Sequence, residues 1–194
     1  MNYEAVVIGA SAGGLGALQV LFSNIGKKFQ LPVLIVQHLH PESEDYLGQL
    51  LKSYSHLKFK EADDKEPIQS GTVYYAPANY HLLVSSDKSM VLNVDEKVNY
   101  CRPSVDVLFE TAADVYGSHL IGIVLTGSNQ DGAAGMTMIK KNGGLTIAQD
   151  PKEAEVDAMP LAAIELLNVD HILPLNKIGK LLTKLCKTTH KSNK

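Results

Sequence analysis

The most constraining feature of this sequence is an uncharged segment near the N-terminus, AVVIGASAGGLGALQVLF, which runs from Ala5 to Phe22. Its length makes it a candidate for a membrane span or a signal peptide. However, Glu4 precedes it where a signal peptide carries Lys or Arg, and small residues interrupt its apolar bulk between Gly9 and Gly16. The segment therefore predicts a buried strand, a tight turn and a buried helix, with no membrane insertion.

Short runs of β-branched and other apolar residues alternate with amphipathic segments along the chain. The runs at 5–8, 31–37, 119–125 and 145–148 predict strands that are buried on both faces. The segments between them place apolar residues at helical spacing. This alternation predicts an α/β fold with a mostly parallel, doubly wound sheet flanked by helices.

The region around residues 57–94 has a different pattern. Its two short strand-like runs, at 72–75 and 82–85, are separated by Pro77 and its neighbours, which predicts a short antiparallel excursion from the main sheet. The sequence contains no internal repeat, low-complexity stretch or linker. We therefore expect a single catalytic domain over residues 1–186, followed by a polar C-terminal tail at 187–194.

Composition narrows the possible functions. The chain has 194 residues, 45% of them apolar, and a formal net charge of −3. A chain of this size can form one core without metals or disulfides, and a slightly acidic balance disfavours binding to nucleic acid or to anionic membranes. Cys101 and Cys186 are far apart in sequence and form no disulfide or zinc pattern. We expect a cytoplasmic protein with no metal and no dissociable cofactor.

The turn after the first predicted strand carries a candidate nucleophile. Residues 9–13 read Gly-Ala-Ser-Ala-Gly, which matches G-x-S-x-G between a strand and a helix. That context is the one a nucleophile elbow requires, because small residues allow a sharp turn that exposes the Ser11 hydroxyl. Free N–H groups at the helix start can stabilise a developing oxyanion. The alternative is a tight turn in which Ser11 is only a helix cap.

The same turn could instead belong to a nucleotide-binding module, but the sequence disfavours this reading. Ser11 stands where a dinucleotide loop has its second glycine, and the second strand ends in Gln37 and His38 rather than in an acidic residue. No lysine follows the glycines, so the loop is not a Walker loop either.

A hydrolytic serine needs a base, and His38 is well placed to supply it. His38 and Ser11 each follow a predicted parallel strand, and the carboxyl ends of such strands meet at one sheet edge. Asp131 lies in the loop after the strand at 119–125 and is the candidate to orient the imidazole. Taken singly, His38 could be a packing residue and Asp131 a helix cap. His40 forms a His-x-His pair with His38, but no Cys or carboxylate lies at ligand spacing nearby.

The sequence also resembles the chemotaxis protein-glutamate methylesterase family, the catalytic domain of CheB-like proteins. The resemblance covers residues 7 to about 174, nearly the whole chain. The matching motifs are VIGASAGG at 7–14, VQHL at 36–39, YAP at 75–77, HL at 81–82, RPSVDVLF at 102–109, IVLTG at 123–127, DGAAGM at 131–136, GGLTIAQ at 143–149 and MP at 159–160.

The resemblance implies a serine hydrolase that removes methyl groups from glutamyl methyl esters on the cytoplasmic helices of chemoreceptors and releases methanol. Some family members also deamidate receptor glutamines. The family's triad carries over onto Ser11, His38 and Asp131. His38 would then take the Ser11 proton, and water would later hydrolyse the acyl-enzyme.

Three departures from the family pattern bear on the site. Ala12 stands where the family commonly has Thr, so a hydroxyl is missing while the backbone N–H remains. Ser128 stands where a Met contributes its backbone to the oxyanion site, and Ala158 replaces a common Gly. A catalytically weakened or inactive interaction module in chemoreceptor signalling is therefore the alternative hypothesis.

Regulation and substrate contact are further expectations from the resemblance. Family members usually carry an N-terminal receiver domain, and Ser11 lies too near the start of this chain for one to precede it. The chain is then either a stand-alone enzyme controlled by a partner, for which a separate phosphorylated regulator is the candidate, or a piece excised from a longer protein, and we expect the former. Arg102 is a candidate contact for an acidic receptor surface, although an Arg before a proline is more often structural.

Overall fold

The structure is a computed structural model that describes residues 2–38 and 46–189. Within these residues the strands are β1 (Ala5–Ala10), β2 (Val33–Gln37), β3 (Lys58–Glu61), β4 (Thr72–Tyr75), β5 (His81–Val84), β6 (Met90–Asn93), β7 (Leu120–Val124), β8 (Leu145–Gln149) and β9 (His171–Leu173). The α-helices are α1 (Gly14–Ser23), α2 (Tyr46–Lys52), α3 (Val105–Tyr116), α4 (Ala133–Lys141), α5 (Ala158–Leu166) and α6 (Leu175–Thr189).

Seven of these strands form one parallel sheet in the order β3-β4-β2-β1-β7-β8-β9. β1 is central and pairs in parallel with β2 on one side and β7 on the other. The chain builds the sheet outward from β1 in one direction and then in the other, so the carboxyl end of β1 is the topological switch point where ligands bind in such folds. This confirms the predicted doubly wound α/β fold.

The antiparallel excursion is also present, but it is smaller than the strand pattern suggested. β5 and β6 form a separate two-stranded antiparallel sheet. β4 does not join it, because β4 pairs in parallel with both β2 and β3 in the main sheet. All four residues of β4 are buried, as are all residues of β1, β2 and β7. The sequence did not predict the edge strand β3, in which only Phe59 is buried.

Two hydrophobic layers cover the sheet, one on each face. In β1 the side chains of Val6, Ile8 and Ala10 pack in the layer formed with α1, α2 and α6. Ala5 and Val7 point to the opposite face and pack in the layer formed with α3, α4, α5 and the small β5–β6 sheet. Burial on both faces explains why this part of the sequence carries no charge.

The structure bears on two further predictions, the absence of a membrane-inserted segment and the polar C-terminal tail. Among the residues that the structure describes, no helix is long and apolar enough to span a membrane. α6 continues through Thr189, so it enters the segment predicted as a polar tail, and residues 190–194 lie outside the described residues. The amphipathic segment that follows the second predicted strand contains α2, and residues 39–45 before it lie outside the described ones.

Close packing between β1 and α3 generates the first prediction. A Cβ added at Gly9 would lie 2.2 Å from Cγ1 of Val105, a buried and conformationally stiff side chain. Gly9→Ala should therefore lower the free energy of unfolding by about 1–3 kcal/mol, measured by urea denaturation. The matched control is Gly16→Ala, because Gly16 lies in α1 with open space around its Cβ position. The control should keep or raise stability, and a Gly9→Ala protein as stable as the control would contradict the packing argument.

Candidate active site

Ser11 and His38 lie side by side at the carboxyl edge of the sheet. Ala10 and Gln37 are register partners in β1 and β2, so Ser11 and His38 each come one residue beyond a paired position. The His38 N–H continues the pairing by donating to the Ala10 carbonyl at 3.0 Å. Ser11 and His38 both line a cavity of about 370 Å³, whose wall also includes Glu155.

Two buried amide side chains hold the turns around Ser11. Nε2 of Gln37 donates to the carbonyl oxygens of Ser11 (2.8 Å) and His38 (3.0 Å), so it joins the two loops directly. The Ser11 N–H donates to the Thr126 carbonyl at 3.0 Å. The Thr126 N–H in turn donates to Oε1 of Gln149 at 2.8 Å. The loops after β1, β2, β7 and β8 are therefore fixed to one another by hydrogen bonds at one edge.

Asp131 is fully buried and contacts the His38 ring. Its Oδ2 lies 2.9 Å from Nε2 of His38 and accepts the Val105 N–H at 2.7 Å. Its Oδ1 accepts the Ser104 hydroxyl at 2.8 Å and the Asp106 N–H at 3.2 Å. Burial opposes the charged form of Asp131, but the hydrogen bonds from His38 and from the start of α3 outweigh it and lower the pKa of the carboxyl.

The other ring nitrogen of His38 faces two residues that the sequence did not point to. Sγ of Cys101 lies 3.8 Å from Nδ1, and Nδ2 of Asn129 lies 3.5 Å from the same atom. Asn129 also donates to the Cys101 sulfur at 3.3 Å. Burial disfavours the imidazolium, but the hydrogen bonds to Asp131 and Cys101 outweigh it and raise the pKa of His38 to about 9.

Ser11 and His38 are neighbours without a hydrogen bond between them. Among the described residues, no hydrogen bond joins the Ser11 hydroxyl to either ring nitrogen of His38. Catalytic hydrogen bonds are often long or poorly aligned in free enzymes and tighten when substrate binds. The Ser11 hydroxyl therefore shares a cavity with His38, whereas the His38–Asp131 pair is already formed.

A second buried carboxylate lies behind Asp131. Nδ2 of Asn99 donates both to Oδ2 of Asp106 (2.8 Å) and to Oδ1 of Asp131 (3.3 Å). Oδ1 of Asp106 accepts the N–H groups of Gly132 (2.9 Å) and Gly135 (2.7 Å) at the start of α4. Burial raises the pKa of Asp106 to about 6, and the nearby Asp131 charge acts in the same direction. Asp106 thus connects α3 to α4 beneath the site.

The remaining predicted site residues are Ala12, Ser128, Arg102 and His40. Ala12 and Ser128 are both exposed, and the Ala12 carbonyl accepts the Thr126 hydroxyl at 2.9 Å. Arg102 uses one guanidinium nitrogen to donate to the backbone carbonyls of Val94 (2.8 Å) and Asp95 (3.0 Å), which restrains the loop before it. His40 lies outside the described residues.

Cys101, Asn129 and Ser104 were missed by sequence reasoning. Ser104 had a readable signal, because a serine directly before the α3 pattern predicts a helix cap, and its side chain accepts the Val107 N–H in that role. Cys101 and Asn129 had no such sequence signal, because their contacts with His38 arise from the packing of loops that are far apart in sequence.

The fold and this edge define a doubly wound α/β protein with a hydrolase-type His–Asp pair beside a serine turn. A profile described as CheB methylesterase matches residues 6–182. The chain belongs to the CheB methylesterase family. The family resemblance drawn from the motifs is therefore confirmed.

Relatives and a solved structure give the extent of the similarity. The chain is 49% identical over 185 residues to a Leptospira interrogans protein named "Putative protein-glutamate methylesterase/protein-glutamine glutaminase", covering 95% of this chain and 96% of that protein. It is 41% identical to Caulobacter vibrioides protein-glutamate methylesterase/protein-glutamine glutaminase 2, covering 91% of this chain and 52% of that protein. The Thermotoga maritima CheB methylesterase catalytic domain superposes with a TM-score of 0.90 at 37% identity, covering 95% of this chain and all of that domain.

The hydrogen bond between Ser104 and Asp131 generates a stability prediction. Ser104→Ala removes a buried donor to a charged carboxylate and the cap of α3 together. We expect a loss of about 2–3 kcal/mol in the free energy of unfolding, measured by chemical denaturation at neutral pH. Ser53→Ala is the control, because the Ser53 hydroxyl donates only to an exposed carbonyl at the end of α2. Equal stabilities of the two variants would show that the Ser104 contact contributes nothing.

Proposed function

We propose that this protein is a serine esterase that hydrolyses glutamyl methyl esters on chemoreceptors, as the names of its relatives describe for those proteins. The single observation that carries the proposal is the His38–Asp131 hydrogen bond of 2.9 Å beside the cavity that contains Ser11. Family membership supports a glutamyl methyl ester as the substrate. The site offers Ser11 as nucleophile, His38 as base and Asp131 as the carboxylate that orients the base. Deamidation of glutamine by the same route is part of the proposal, because the relatives carry both activities in their names.

His38 would act through Nδ1. Asp131 accepts from Nε2, and this selects the tautomer in which Nδ1 carries the lone pair. Nδ1 takes the Ser11 proton as the hydroxyl oxygen attacks the ester carbonyl. The imidazolium then protonates the departing methoxide, which leaves as methanol. A water molecule, deprotonated by His38, hydrolyses the acyl-enzyme to a glutamate and regenerates Ser11.

Asp131 would stabilise the charged His38 that forms in each half of this reaction. Its pKa lies below the ordinary range, so it remains a carboxylate throughout neutral pH. The hydrogen bonds from Ser104, Val105 and Asp106 fix its position without neutralising it. For the oxyanion we assign the backbone N–H of Ala12, which directly follows Ser11, and the loop at Ser128, because a Cβ added at the preceding Gly127 would lie 2.9 Å from Cβ of Ser11.

The partners follow from the same proposal. The substrate is a methylated cytoplasmic helix of a chemoreceptor, and the reaction takes place in the cytoplasm. We propose one catalytic domain over residues 1–186, with a separate phosphorylated regulator controlling it. Arg102 remains a proposed contact for acidic receptor surface, at the rim of the cavity that also includes Cys101 and His38.

A weakened or inactive interaction module is the second candidate. It is favoured by the missing hydrogen bond between Ser11 and His38 among the described residues, and by the altered loop at Ser128. Both candidates share the fold and the receptor partner. They differ only in turnover, so a rate measurement separates them.

The first functional prediction concerns Ser11. Wild-type protein should release methanol from methylated receptor, and Ser11→Ala should reduce the rate by at least about a thousandfold, because triad members act as a unit. Ser23→Ala is the control, since Ser23 is an exposed serine at the end of α1. Methanol release by wild type that does not exceed that of Ser11→Ala would contradict the esterase and favour the interaction module.

The second functional prediction concerns pH. His38 must be neutral to act as a base, and its pKa of about 9 means that the neutral fraction grows as pH rises. We expect kcat/KM to rise about tenfold per pH unit below pH 9 and then to level off. Cys101→Ala removes one of the contacts that raise the His38 pKa, so its profile should shift to lower pH. An unchanged profile in that variant would disprove the influence of Cys101 on His38.

A further inference from the structure

Three side chains with metal-binding donor atoms meet at the edge of the sheet. One donor atom each from His38, Cys101 and Asp131 lies within 4.8 Å of the other two. The set comprises an imidazole nitrogen, a thiol sulfur and a carboxylate oxygen. These are the three ligand types that zinc takes from proteins.

One of the three separations already matches that of a zinc site. Zinc lies about 2.0–2.3 Å from such ligands, so tetrahedral geometry places neighbouring donors roughly 3.3–3.8 Å apart. Sγ of Cys101 is already 3.8 Å from Nδ1 of His38. The other separations are at most 4.8 Å, so the donors need to approach one another by up to about 1.5 Å to bind one ion.

The surroundings favour a bound ion that remains reachable from solvent. Asp131 is fully buried, and the Ser104 hydroxyl and the Val105 N–H hold its carboxylate in place. His38 and Cys101 are only half-buried and both line an open cavity of about 170 Å³. Three protein ligands with a fourth position open to a cavity is the arrangement of an accessible zinc site, not of a closed structural one.

We propose that His38, Cys101 and Asp131 form a site for Zn²⁺, and that zinc bound there switches the hydrolase off. The inhibitory part rests on the proposed function, whereas the site itself does not. On binding, the Cys101 thiol releases its proton to solvent and its sulfur forms the bond to zinc. One ring nitrogen of His38 binds the ion. If it is Nδ1, the lone pair that accepts the Ser11 proton is occupied. If it is Nε2, the hydrogen bond to Asp131 is lost.

Cobalt substitution tests the site without any measurement of turnover. Titration of wild-type protein with Co²⁺ should give one equivalent of binding and a near-ultraviolet charge-transfer band, which requires a thiolate ligand. Cys101→Ser should lose the band. Cys186→Ala should keep it, because Cys186 is buried in the other hydrophobic layer, where its sulfur accepts the Gln30 N–H. No band in wild type, or an equal band in Cys101→Ser, would overturn the site.

Zinc inhibition tests the second part of the proposal. Methanol release by wild type should fall at least tenfold at one equivalent of bound Zn²⁺ and return on addition of a chelator. Cys101→Ser, measured against its own zinc-free rate, should need at least tenfold more Zn²⁺ for the same loss. Zinc that binds without slowing wild type would overturn the inhibitory role. A protein that shows the cobalt band but no turnover at any zinc level would refute the esterase and leave the metal site standing.

Discussion

The site depends above all on the buried carboxylate of Asp131. It accepts hydrogen bonds from the Ser104 hydroxyl and from the first N–H groups of α3, and it lies next to the positive end of that helix dipole. A buried charge without such partners would cost several kcal/mol. These contacts keep Asp131 charged and fixed in place, and its hydrogen bond with His38 sets the position and the tautomer of the imidazole.

The same environment sets the protonation of its neighbours. The Asp131 charge helps to hold His38 in its charged form and acts with burial to raise the pKa of Asp106. Asn99 bridges the two carboxylates, and Asp106 accepts the first N–H groups of α4. α3, α4 and the carboxyl edge of the sheet thus share one network of buried polar groups. Changes to any member should therefore affect both stability and pH dependence.

Much of this architecture was predictable because local patterns encode it. The uncharged run from Ala5 to Phe22 encodes β1, a tight turn and α1, and burial on both faces explains its composition. Ser11 and His38 were predictable as neighbours because each directly follows a parallel strand. The strand at 72–75, β4, was predicted to belong to the antiparallel excursion but pairs in parallel with β2 and β3, because the sequence of a four-residue strand does not determine its pairing partner.

The contacts that the sequence did not predict are those between loops that are distant in sequence and adjacent in the fold. Cys101 lies in the segment before α3 and Asn129 in the loop after β7, so no spacing rule relates either one to His38. Sequence spacing therefore gave no reason to expect a metal-binding set. The structure places the Cys101 sulfur within 3.8 Å of the imidazole, which changes both the expected pH dependence and the expected response to zinc.

The central claim is that His38 and Asp131 activate the Ser11 hydroxyl. A fluorophosphonate probe tests it most directly, because it forms a covalent adduct only with an activated nucleophile and needs no receptor substrate. Peptide mapping by mass spectrometry should place the adduct on Ser11 in wild type, with strongly reduced labelling in His38→Gln. An unlabelled Ser11, or equal labelling of Ser11 when His38 is replaced, would contradict the account.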